Sequence, residues 1–127
     1  MSYIDTIADY LEENRFTVQI GKLYNNSSNN AINTDKIVVY PQETSYRQCV
    51  GKLKRYNNQR AKILVHGNKS FTDTQTTANN IFNLFDCSCY NNLIFTPRQS
   101  APIYMGTDSY DIHEYVIEID ILEGLNL

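Results

Sequence analysis

Three cysteines, two histidines and a set of C-terminal carboxylates are the residues of this 127-residue chain whose types invite a chemical reading. Cys87-Ser88-Cys89 places two soft metal ligands one residue apart. A structural zinc site needs four, usually as two close pairs. Cys49, His66 and His113 stand singly elsewhere. The pair therefore reads as small apolar thiols at a helix end, and neither a metal nor another cofactor is expected. Glu118 and Asp120 lie two apart on an alternating segment, on one side of a strand and about 7 Å apart by strand rise. Glu114 lies further along that side. Such carboxylates could do acid–base work, but alternating acids are also the ordinary wet face of a half-buried strand. No nucleophile and no Gly-rich phosphate loop accompanies them at a recognisable spacing. His66 ends one apolar run and His113 starts another, so both read as surface or turn residues. The chain is expected not to be an enzyme.

The charges are segregated. Six of the eleven basic residues fall in one stretch, namely Arg47, Lys52, Lys54, Arg55, Arg60 and Lys62. Acids gather at the start (Asp5, Asp9, Glu12, Glu13) and near the end (Asp108, Asp111, Glu114, Glu118, Asp120, Glu123). Tyr46, Tyr56 and Asn57 accompany the basic stretch, which could suit nucleic-acid contact. A net charge of −3 and the lack of an RNA-recognition or zinc-finger signature weigh against it. Alternatively, a basic patch and acids on one subunit make the two halves of a head-to-tail contact, which closes into a ring. On that reading Arg47, Lys52, Lys54 and Arg55 belong to an inter-subunit interface. Glu114, Glu118 and Asp120 then face a channel or the same interface.

These residues need elements to hold them. Ile4, Ile7, Ala8 and Leu11 fall on one helical face, with Ser2 and Asp5 spaced as a capping box, which predicts a helix over residues 3–14. Residues 17–20 and 36–40 read as short strands, the second ended or placed at an edge by Pro41. Between them Asn25–Asn33 is a polar tract without periodicity, read as a flexible loop or arm. Residues 46–56 read as strand, and Arg60–His66 as a central strand closed by a Gly67-Asn68 turn. Ala78, Ile81, Phe82 and Phe85 stripe a second helix over residues 72–86, with Ser70 or Thr72 as its cap. Strands follow at 92–96 and 103–105. Tyr115, Ile117, Ile119 and Ile121 then alternate with Glu114, Val116, Glu118 and Asp120, so one face of the last strand is buried and the other wet.

The whole chain, 1–127, thus reads as a single α+β domain. Its sheet is mixed and mainly antiparallel, with two helices packed on one face. Hydrophobic residues at 42% and charged residues at 20% suit a globular core. No basic and apolar leader is visible, and no apolar run approaches the roughly 20 residues that span a bilayer. A cytoplasmic location, free thiols and no membrane partner are expected.

In order of elements the chain resembles the tail terminator, or minor capsid, proteins of tailed bacteriophages. The resemblance is carried by Lys62-Ile63-Leu64-Val65-His66-Gly67, the helix from Thr72 to Phe85, Leu93-Ile94-Phe95, Ile103 to Asp108, and the strand from His113 to Ile121. His66 stands where relatives often carry Arg. Ser109-Tyr110-Asp111-Ile112 replaces a Gly-Arg type of turn. The resemblance implies a homo-hexameric ring that caps the tail tube, stops its polymerisation and offers a surface for head attachment. Its partners would be further copies of itself, the tail tube protein and a head-completion or neck protein, with DNA only passing through the channel. It would assemble in the host cytoplasm and end in the virion. A nucleic-acid-binding accessory protein using residues 47–62, or another small neck protein, is the alternative.

Overall fold

Hydrophobic periodicity places two helices against one face of a sheet. The computed structural model describes residues 3–21, 36–42, 48–50, 54–56 and 58–123, and the side-chain surroundings of 3–21, 36–42 and 59–122. Helix α1 spans Tyr3–Glu13 and buries Ile4, Ile7, Ala8 and Leu11. It ends in a Schellman turn. Arg15 takes φ +71°, and the Phe16 N–H reaches back to the Leu11 carbonyl at 3.1 Å. The capping residue expected at Ser2 and the tract Asn25–Asn33 lie outside the described residues.

Among the described residues nine strands follow in chain order with one helix among them. They are β1 (Val18–Ile20), β2 (Lys36–Gln42), β3 (Gln48–Val50), β4 (Lys54–Tyr56) and β5 (Asn58–His66), then helix α2 (Phe71–Phe85), then β6 (Ser88–Tyr90), β7 (Leu93–Pro97), β8 (Ile103–Thr107) and β9 (His113–Glu123). Seven of them form the main sheet in the order β1-β2-β5-β9-β7-β6, with β8 also on β9. Among the described strands only the β1–β2 pair is parallel. The fold is therefore α+β with a mixed, mostly antiparallel sheet. β3 and β4 pair with each other as a separate hairpin.

Pro41 sits inside β2, opposite Ala61, and does not end the strand. The Thr17 carbonyl accepts from Ile37, and the Val39 carbonyl accepts from Gly21. Odd residues of β2 thus address β1, which stops at Ile20. Pro41 lies beyond Val39, the last β2 residue paired with β1, where a missing donor is tolerated.

The core lies between the sheet and both helices. Ile37, Val39, Ala61, Ile63 and Val65 meet Tyr115, Ile117, Ile119 and Ile121 on the inner face. Ala78, Ile81, Phe82 and Phe85 of α2 cover them together with the apolar face of α1. Tyr10 stitches α1 to the far side. It stacks on Tyr90 at 4.6 Å, meets Phe85 edge-on at 5.3 Å, and donates to the Leu84 carbonyl at 3.1 Å.

β9 is long enough to hold two partners on one flank. β7 pairs with its C-terminal half and β8 with its N-terminal half. Between them Arg98 donates its N–H to the Glu118 carbonyl at 2.9 Å. With its amide oxygen and nitrogen exchanged, the orientation that satisfies both, the Gln99 side chain mimics a peptide there, donating to the Glu118 carbonyl at 3.2 Å and accepting from the Glu118 N–H at 2.9 Å. No described helix is long and apolar enough to cross a membrane.

Candidate interaction surface

The outer face of the sheet is built in rungs across β2, β5 and β9. Lys36, His66 and Glu114 form the first, and Val38, Leu64 and Val116 the second. Tyr40, Lys62 and Glu118 make the third, then Gln42, Arg60 and Asp120 the fourth. The alternation expected for the last strand is present, with Ile117 and Ile119 buried and Glu118 and Asp120 partly exposed. The two acids are already engaged within the subunit. Arg60 Nε lies 3.2 Å from Asp120 Oδ1. Arg98 lies 3.7 Å from Glu118 and 3.6 Å from Asp120. Arg98 is outside the 47–62 stretch in sequence, and only the turn after β7 brings it to these acids. Lys62 Nζ stands 5.9 Å from the Tyr40 ring centroid, and burial raises the Tyr40 hydroxyl pKa, with the Glu114 and Glu118 charges adding to it.

Of the expected interface cations, Arg47 and Lys52 lie outside the described residues, and Lys54 and Arg55 belong to β4. Arg60 and Lys62 are on β5, in the central sheet and not on the hairpin. Glu114 is separated from Glu118 and Asp120 by the apolar rung. It shares its own rung with His66.

His66 is not the surface residue that its place at a strand end suggested. It is 2% exposed. Its Nε2 meets Asp108 Oδ2 at 3.0 Å, while Nδ1 is buried with no hydrogen-bond partner. Asp108 Oδ1 accepts the N–H groups of Tyr110 and Ile112 at 2.8 and 3.0 Å, so one carboxylate orders the β8–β9 turn. Burial alone would lift the Asp108 pKa. The hydrogen bonds from His66, Ile112 and Tyr110 and the His66 charge outweigh it and hold that pKa below its ordinary value. Burial pushes Glu114 up, with the His66 charge partly offsetting and the Asp108 charge reinforcing.

The same turn is tied to the start of α2. Gly67 donates to the His113 carbonyl at 3.0 Å and His113 to the Asn68 carbonyl at 3.1 Å. Ser70 caps the helix, its Oγ accepting from the Asp73 N–H at 3.2 Å. Asn68, Lys69, Ser70 and Ile112 line a shallow open hollow of about 480 Å³ at this junction. Among the described residues no cluster of three metal-ligating side chains exists. Cys87 and Cys89 are exposed free thiols flanking the start of β6, a strand that sequence reasoning missed because it is only three residues long.

No protein-family model matches the chain, and no curated protein does.

On the outer face Arg60 and Arg98 neutralise Glu118 and Asp120, and among the described residues the longest run of exposed large apolar side chains is on β8. Ile103, Tyr104 and Met105 are all exposed, and Phe71 at the head of α2 packs edge-on to Tyr104 at 5.3 Å. Tyr104 in turn shares a hydrogen bond with His113 Nδ1 at 2.8 Å. Sequence periodicity could not single out β8, because three consecutive large apolar residues read as a buried strand.

Proposed function

We propose that this chain is a structural assembly subunit of the tail-terminator type, with no catalytic role. It forms a homo-hexameric ring that caps a phage tail tube, ends tail polymerisation and receives the head-completion or neck protein. DNA only passes through its channel. The observation that carries the reading is the order of elements in the fold. α1 and β1 are followed by β2, by central β5 ending at His66, by α2, and by β7, β8 and the long β9. The helices, β5, β7, β8 and β9 are the elements on which the resemblance rests.

In this reading the ring contact is heterologous and pairs charge with charge. Its cations are Arg47, Lys52, Lys54 and Arg55. Glu118 and Asp120 are engaged by Arg60 and Arg98, so they are poorly placed as the acid half. On α1 the exposed Glu12 serves better, Glu13 being exposed but accepting the Tyr90 hydroxyl at 2.8 Å. The test reverses Lys52 and Lys54 to Glu and images the protein on tail tubes by negative stain. Uncapped or over-long tails are expected. Rings of unchanged stability and salt dependence would remove the charge-paired contact. Duplex DNA binding by the purified protein, weakening steeply with salt, would replace the ring reading by that of a nucleic-acid-binding accessory protein.

A further inference from the structure

We infer that β8 is a self-association edge, across which two copies of this chain pair antiparallel about a twofold axis. β8 is bonded on one side to β9, and among the described residues its outer backbone edge has no partner. Such an edge presents a row of N–H and C=O groups whose natural complement is another strand. Proteins that must stay monomeric blunt these edges with a bulge, with proline or with charge. β8 has a register shift between Tyr104 and Gly106, which leaves Ile103 and Tyr104 as the regular part of its edge, but it lacks the charge. Here the nine residues from Gln99 to Thr107 carry none. Two copies, each with net charge −3, can therefore bring this segment together without like charges meeting.

Apolar side chains flank this edge on both faces, Ile103 beside Val116 on the outer face and Tyr104 beside Tyr115 and Phe71 on the inner. Ile103, Tyr104, Met105 and Phe71 are 41, 44, 60 and 42% exposed. At roughly 200 Å² per large side chain they offer on the order of 400 Å² of apolar surface per copy. That is about half of the ~800 Å² per partner in a standard interface, the strand backbone and the small neighbours supplying the rest. An uncharged, apolar edge matches its own copy across a twofold, where residue meets residue in both directions. A contact of this size suits a dimer that dissociates on dilution and not a permanent one. This contact is isologous and separate from the heterologous ring contact proposed above. It describes the free protein and stands whether or not that ring forms.

The experiment is sedimentation of the purified full chain over a concentration series, with two double variants. One is Ile103→Lys with Met105→Lys, the other Ile103→Glu with Met105→Glu. Wild type should pass from monomer to dimer as concentration rises. Each double variant alone should stay monomeric with an unchanged circular dichroism spectrum, and their equal mixture should regain the dimer. A wild type that is monomeric throughout overturns the proposal. So does an oligomer that both variants leave intact, and a hexamer of that kind would leave the ring reading standing. Loss of association without recovery in the mixture overturns it as well, because β8 then meets a surface other than itself. Should the variants misfold, amide exchange on wild type decides. Protection of residues 103–107 that grows with concentration supports the pairing, and exchange independent of concentration overturns it.

Discussion

His66 Nε2 and Asp108 Oδ2 stand 3.0 Å apart across 42 residues of chain, joining the end of β5 to the turn that opens β9. The bond places the partly exposed Asp108 carboxylate over a buried imidazole, and the same carboxylate holds the Tyr110 and Ile112 amides. Asp108→Ala leaves the His66 ring nitrogen without its partner and frees both amides. A loss of about 2–3 kcal/mol is expected, read by urea unfolding at neutral pH.

The pH dependence of that contact follows from the lowered Asp108 pKa. A carboxylate whose folded pKa lies below its unfolded one contributes stability above the unfolded value, near 3.8, and loses it as pH falls through the folded value. Glu114 opposes this, because its folded pKa is raised. Its contribution is fully present below the unfolded value and is lost as pH rises through the folded one. Asp108→Asn should therefore flatten the acid limb of the stability profile. Glu114→Gln should raise stability at neutral pH by less than about 1 kcal/mol, with no gain once Glu114 is protonated. Unfolding curves between pH 3 and pH 7, run side by side for the three proteins, check both signs.

Gly67 cannot carry a side chain. A Cβ there would lie 2.3 Å from Thr74 Oγ1, and Thr74 is fully buried. Thr74 is further held by bonds to the Ser70 carbonyl and the Asn68 N–H. Gly67→Ala should cost about 3 kcal/mol by overpacking, seen as a lower urea midpoint with an unchanged m-value.

Neighbours on β9 should respond oppositely. Ile119→Ala opens a cavity beneath both helices and should cost about 3–4 kcal/mol. Glu118→Ala removes a partly exposed pairing with Arg98 and should cost under about 1 kcal/mol. Equal losses in thermal unfolding would show that the face assignment does not govern stability.

Arg60 and Asp120 provide a measure of the outer lattice. A double-mutant cycle on this pair should give a coupling of about 0.2–1 kcal/mol that shrinks in high salt. A coupling that survives molar salt would place the pair in a drier setting than its exposure implies.

The sequence by itself determined the helices and the faces. The stripe Ile4, Ile7, Ala8, Leu11 and the stripe Ala78, Ile81, Phe82, Phe85 mark α1 and α2, because helical spacing puts those residues on one side. Tyr115, Ile117, Ile119 and Ile121 set the register of β9, because a one-residue slip would bury its acids. Only the tertiary structure decided what those faces meet. His66 is buried by β2, β9 and the Asp108 turn, and Arg98 reaches Glu118 and Asp120 by the path of the chain after β7. β8 was legible as a strand, yet its exposure depends on being the last strand on its side of β9. Local spacing records which side chains share a face. Long-range pairing settles which faces and edges remain uncovered, and no periodicity within a segment encodes it.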